Sequence, residues 1–191
     1  RRVAAIAEPS LAPSAVDGWL AELGVAPDER AEREGIVSWD LLLDGRVRHD
    51  VRVTLILDPA LALLCWVHYA PPINDSFRVS YRKLLRWNDE IPFVKFAVSP
   101  DERPVLSTEL PVATLDRDAL GAALARLLAV CDLCFADSLV WIAPQAKKLP
   151  VPSRPSRHLA LLERYADAIG RSEEHTSELP VTSRSRMPSS A

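Results

Sequence analysis

The side chains of this chain best suited to chemistry are three cysteines and a few histidines. Cys131 and Cys134 form a Cys-x-x-Cys pair, a spacing used by dithiol redox sites and by zinc ligands. Redox use requires a lowered thiol pKa, which a helix N-terminus after a strand supplies. Here the pair falls near the C-terminal end of a helical pattern, where the helix dipole disfavours a thiolate. Two buried helix cysteines are therefore the simpler reading, and a thiol redox enzyme ranks last among the functions considered. Zinc would need further ligands at convergent spacing, but Cys65, His49, His68 and His158 are scattered over strands and a linker. No metal or cofactor is expected.

No other pattern in the sequence assembles catalytic groups. His49 and His68 both sit in alternating patterns and read as strand residues rather than general bases. No serine occupies a nucleophile elbow, and the six glycines are too dispersed to cradle phosphate. Carboxylates such as Asp44, Asp101 and Asp116 fall in turns and caps, where local backbone hydrogen bonding accounts for them. The expected protein is not an enzyme.

The elements that would position these groups read as follows. Pro13 and Ser14 open a short helix with Val16, Trp19, Leu20 and Leu23 on one face, and Gly24 ends it. Pro27 to Glu34 reads as a charged linker or loop. Alternation over Ile36–Leu43 and Val47–Leu57 predicts a hairpin. A three-residue loop of Leu43, Asp44 and Gly45 would pair Leu41 with Val47, Trp39 with His49 and Val37 with Val51. Leu61 to Tyr69, apolar on both faces, reads as a central strand.

Further along, Phe77, Tyr81, Leu84 and Leu85 mark a helix from Phe77 to Trp87, capped by Asn88. Phe93–Ser99 and Pro104–Leu110 form a second strand pair around Pro100, Asp101 and Glu102, with Val94, Phe96 and Val98 able to face the core. Asp116 caps the strongest helix, with Leu120, Leu124, Leu127, Leu128, Cys131 and Phe135 along one stripe and an end near Ala136. Ser138–Ala143 reads as a last strand. Pro150, Pro152 and Pro155 mark a linker, and Leu159, Leu162, Ala166 and Ile169 a final helix of unknown attachment.

Strands in antiparallel pairs with helices between the groups predict an α+β fold, an antiparallel sheet of about five strands packed by helices on one face. Leu64 and Trp66, with Leu42 and Ile56, then fall on the other face, as an apolar surplus of the kind that marks a contact surface. A helix or a further chain segment could equally cover that face.

Composition narrows the class further. A net charge of -3, without a basic stripe, speaks against nucleic acid as a partner. No apolar run approaches the roughly 18 residues that span a bilayer, so no membrane partner is expected. With 48% hydrophobic residues and five tryptophans, the chain can bury a core without disulfide staples. Three cysteines, an odd number without framework spacing, fit a reducing compartment, and a cytoplasmic location is expected.

The C-terminal run RSEEHTSEL, Arg171 to Leu179, back-translates to AGATCGGAAGAGCACACGTCTGAACTC, which resembles a short-read library adapter. Ser185 to Ala191 reads as the same adapter's far end after an index-length gap. Residues 171–191 are therefore expected to be translated adapter that packs on nothing, outside any fold. The chain opens on Arg1 and Arg2 without methionine, so a fragment at both ends is expected.

The order of elements and the stretch YRKLLRWNDEIPFVKFAVSPDERPVLSTELP, Tyr81 to Pro111, resemble the YbjN family, which belongs with the type III secretion chaperone-like fold. The similarity runs from Ile36 to Phe135. Its most telling parts are LLRWN (Leu84 to Asn88), KFAV (Lys95 to Val98), ELP (Glu109 to Pro111) and the long amphipathic helix. The resemblance implies a small α+β domain that often dimerises, in a superfamily whose chaperones hold partner polypeptides on apolar patches; the family itself is described as bacterial sensory transduction regulators. It supplies no catalytic residue.

The expected organisation is an N-terminal helix and linker at 1–35, a YbjN-like domain at 36–143, a proline-rich linker with a C-terminal helix at 144–170, and the tail. The expected function is non-enzymatic binding of a peptide or protein client through Leu42, Ile56, Leu64 and Trp66. The alternative is a self-associating regulatory or scaffold homodimer in bacterial signalling.

Overall fold

The computed structural model describes residues 10–72, 78–142 and 148–170. Phe77, Ala143 and the tail 171–191 lie outside them, so the expectations for those positions have no structural counterpart. Helix α1, Pro13–Glu22, starts with its proline in the first turn, where the missing N–H has no partner to lose. It ends because Gly24, at φ 71°, reverses the chain. Gly24 N–H then donates to Ala21 C=O at 3.1 Å and Val25 N–H to Leu20 C=O at 2.9 Å, satisfying carbonyls the helix leaves open. Val16 and Leu20 are buried.

Six strands follow in one antiparallel sheet: β1 Glu29–Arg33, β2 Ile36–Leu43, β3 Val51–Asp58, β4 Ala62–His68, β5 Lys95–Val98 and β6 Pro104–Pro111. Their spatial order is β1-β2-β3-β4-β6-β5. β1 lies where a loop was expected. Its residues, ERAER, are all exposed and carry no apolar alternation. Pairing with β2 through a two-residue turn at Glu34 (φ 51°) and Gly35 (φ 80°) makes it a strand. Its charges suit a sheet edge, where they discourage pairing with another chain.

The β2–β3 hairpin also departs from expectation. Leu41 lies opposite Val53, Trp39 opposite Leu55 and Val37 opposite Leu57, so the loop runs from Asp44 to Asp50. His49 therefore sits in a loop and not in a strand. The cause is tertiary: the Asp132 carboxylate accepts the backbone N–H groups of Arg46 (2.6 Å), Val47 (3.1 Å) and Arg48 (2.7 Å), taking them out of reach of a ladder.

Between β4 and β5, helix α2 spans Arg78–Glu90, longer than expected at its C-terminal end. Asn88 does not cap it. Its side-chain amide instead accepts from Phe96 N–H at 2.6 Å and donates to Phe96 C=O at 3.0 Å, occupying part of the free edge of β5. Leu84 and Trp87 are buried, whereas Leu85 is 69% exposed and leaves the expected stripe. On β5 Phe96 is buried, Val94 before it is half-buried and Val98 is exposed.

Helix α3, Arg117–Leu133, is capped as expected, with Asp116 accepting from Ala119 N–H at 2.7 Å. The chain then breaks at Cys134 and continues as helix α4, Phe135–Ile142, where a strand was expected. Helical backbone bonding carries across the break through Ser138 N–H to Cys134 C=O at 3.0 Å. The Ser138 hydroxyl donates to the same carbonyl at 2.8 Å and meets the Tyr69 hydroxyl at 2.5 Å, which fixes the helical turn inward. Helix α5 spans Leu159–Arg164, with Leu161 and Leu162 buried against α3.

The core lies between the helices and one face of the sheet. Val37, Trp39, Leu41, Val53, Leu55, Leu63, Cys65 and Val67 on the strands and Leu120, Leu124, Leu127 and Leu128 on α3 are each 0–1% exposed and join one cluster. Burial of this kind stabilises by about 1.5–3 kcal/mol for each large aliphatic side chain. The fold is the expected α+β arrangement, an open antiparallel sheet packed by helices, with six strands in place of about five.

Candidate functional site

Residues two apart on a strand share a face, so the alternates of the core residues form the outer face of the sheet. Leu42, Ile56, Leu64 and Trp66 all lie there, half-buried and outside the core cluster. Ile56 pairs directly with Leu64, and Trp66 follows Leu64 on the same face, beside Thr54. These three form one apolar patch. Leu42 is opposite Arg52, separated from Ile56 by the row of Asp40 and Thr54, so it does not join them. Among the described residues, Trp66 Nε1 is buried without a hydrogen-bond partner.

The patch is bordered by a polar relay. Thr54 Oγ1 donates its single proton to Asp40 Oδ1 at 2.6 Å. His68 Nε2 lies 3.1 Å from Thr54 Oγ1, and because the hydroxyl proton is already committed, Nε2–H must donate. Burial, followed by the charge of Arg52, pushes the His68 pKa below its usual value despite the pull of Asp40. A histidine that gives a proton to a hydroxyl does not activate it as a nucleophile, so this contact does not make Thr54 one.

The cysteines are placed for packing. Cys65 is on the inner face of β4, Cys131 on the buried side of α3 and Cys134 at that helix's C-cap. Burial pushes each thiol up to about 12, so thiolate is scarce at neutral pH. Among the described residues, no group of three or more His, Cys, Asp or Glu side chains converges to hold a metal ion. Asp101 behaves as a turn carboxylate, paired with Arg103 at 2.7 Å.

Asp44 is different from the local turn residue expected. Its side chain is fully buried. The carboxylate accepts from Arg157 Nε at 2.9 Å, Arg154 Nη2 at 3.1 Å, Arg157 N–H at 3.0 Å and Asp50 N–H at 3.0 Å. Burial alone would raise its pKa; the hydrogen bonds from Arg157 and Arg154, with those from Asp50 and Arg157 N–H, override it and hold the carboxyl far below the usual range. Ser156 Oγ donates to Asp44 C=O at 3.2 Å, and His158 Nδ1 accepts Asp44 N–H at 3.0 Å. The segment from Arg154 to His158 thus straps the β2–β3 loop. Nothing local in the sequence marks this arrangement, although two arginines spaced three apart beside a histidine are the residues that make it.

The family model described as "Putative bacterial sensory transduction regulator" matches residues 12–138, from the residue before α1 into α4. No curated protein matches the chain. No described helix is long and apolar enough to cross a membrane.

Proposed function

The chain belongs to the YbjN family, and on that premise we propose that it is a non-catalytic module that holds a protein or peptide segment of a bacterial signalling partner against the outer face of its sheet. The observation that supports this is the patch of Ile56, Leu64 and Trp66, apolar yet outside the core cluster. Leu42 lies at the margin of the contact, across Arg52. High thiol pKa values and a histidine that donates to Thr54 instead of deprotonating it favour binding over catalysis. A cytoplasmic setting suits three free, buried cysteines.

Residues 10–170, immobilised in parallel as wild type, Trp66→Ala and Leu64→Asp, test the reading by quantitative capture and light scattering. A partner held by the wild type and lost by both variants is the expected result. Should both variants keep every captured partner and the same oligomeric state, the outer face is not the contact. A mass of two chains that falls to one in Leu64→Asp would identify the partner as a second copy, the self-associating regulatory form.

A further inference from the structure

The charges of β1, Glu29–Arg33, complement themselves: with one copy turned antiparallel to another about Ala31, every Glu faces an Arg. We infer that the free edge of β1 joins two copies of this chain, so that their sheets run on as one. β1 is the terminal strand of the sheet, and each of its residues is exposed.

The backbone limits how two such edges can meet. The turn at Glu34 and Gly35 closes on Arg33 and Ile36, and a two-residue turn of this kind makes the flanking residues a hydrogen-bonded pair. By alternation Ala31 and Glu29 also bond toward β2, while Arg30 and Glu32 turn N–H and C=O to the open edge. Within the strand, these outward groups can meet as Arg30 with the partner's Arg30, Glu32 with the partner's Glu32, or Arg30 with the partner's Glu32. The first two set like charges face to face, which destabilises a cross-strand pair. Only the third is complementary. A strand of another pattern lacks this match, so the same charges guard the edge against other chains.

In that register the dyad passes through Ala31, a pair without hydrogen bonds whose Cα atoms approach to about 4.5 Å, and the small side chain suits it. Arg30, opposite Trp39, lies on the inner face and meets the partner's Glu32 there. Glu29, opposite Asp40, meets the partner's Arg33 on the outer face. Arg30 already reaches Asp17 at 3.4 Å and Glu32 of its own strand at 3.8 Å, whereas among the described residues Glu29 and Arg33 have no ion pair. The second copy supplies one to each. Beyond them Asp28 would face the partner's Glu34, so the ladder ends at Glu29 and Arg33. Strand β2 separates this edge from the patch on β3 and β4, and a dyad perpendicular to the sheet leaves the patches of both copies on one side.

Sedimentation equilibrium of the full chain over a concentration series tests the pairing. A reversible dimer with a Kd of about 10–100 μM is expected, since two short strands bury less than a standard interface. Salt weakens it, because exposed ion pairs are screened. Arg33→Glu and Glu29→Arg, each at an exposed side chain, weaken the dimer at least about tenfold alone. Mixed in equal amounts they restore it as a heterodimer, because every facing pair is again opposite in sign. Amide exchange at Arg30 and Glu32 slows as the chain dimerises. Leu64→Asp, on the outer face, leaves this dimer intact, so its failure and that of the outer-face reading are distinguishable. The inference is overturned if the chain stays monomeric up to about 1 mM, if the mixture pairs no better than either variant alone, or if a dimer leaves the Arg30 and Glu32 amides unprotected.

Discussion

The backbone N–H of Asp44 donates to His158 Nδ1 at 3.0 Å, joining the β2–β3 loop to the turn before α5. An imidazole that accepts through Nδ1 must be deprotonated there. Burial is the main reason its pKa is lowered; Asp44 pulls it back up, and Arg157 and Arg154 push it down again. The unfolded chain therefore binds a proton more readily than the folded one below about pH 6.5, and stability falls as pH drops through that value. His68, lowered for the same main reason, adds to the slope. Asp44, depressed in the fold, adds a further loss only below about pH 4.

Urea unfolding between neutral and mildly acidic pH should show this, with each histidine contributing at most about 1.4 kcal/mol per pH unit. His158→Asn, whose amide oxygen can still accept the Asp44 N–H, should flatten part of the slope without removing the strap. An unchanged slope in that variant would mean that His158 titrates as it does in the unfolded chain.

Cys65, Cys131 and Cys134 should be inert in the native protein. With thiols pushed up to about 12, the thiolate fraction at pH 8 is on the order of a thousandfold below that of a free cysteine. A thiol-disulfide exchange reagent should react with none of these three rapidly under native conditions and with all of them after denaturation. One native thiol titrating near the free value would restore the redox reading of the Cys-x-x-Cys pair.

Side-chain alternation revealed faces in the sequence but not rows. Leu41 opposite Val47 and Leu41 opposite Val53 put the same side chains inward, so periodicity cannot tell the two registers apart. What decides between them is Asp132, on α3, holding the loop's N–H groups. For the same reason the shared face of Ile56, Leu64 and Trp66 was legible, while the isolation of Leu42 behind Arg52 was not. β1 escaped notice because an exposed edge strand needs no apolar alternation. The short apolar run of α4 fits strand and helix alike, and contact between Ser138 and Tyr69 selects the helix. Asp44 acquires its importance from groups distant in sequence, which no local pattern signals.

Gly121 and Tyr165 provide a test of how α5 attaches. Gly121 lies in the interior of α3, where glycine is destabilising by about 1 kcal/mol relative to alanine, so a packing reason is needed. The Tyr165 ring occupies the space a Cβ would take, and its hydroxyl donates to Asp118 Oδ1 at 2.7 Å. Arg164 reaches the same oxygen at 3.4 Å. Gly121→Ala gains helix propensity but must displace the ring and its hydrogen bond, for a net loss of about 1–3 kcal/mol. With the ring removed in Tyr165→Ala, the same substitution meets no obstacle, and propensity alone makes it stabilising by up to about 1 kcal/mol. The sign of the Gly121→Ala effect should therefore reverse between the two backgrounds when measured by urea unfolding. Stabilisation in both would mean that Tyr165 does not rest on α3 and that α5 is held by Leu161 and Leu162 alone.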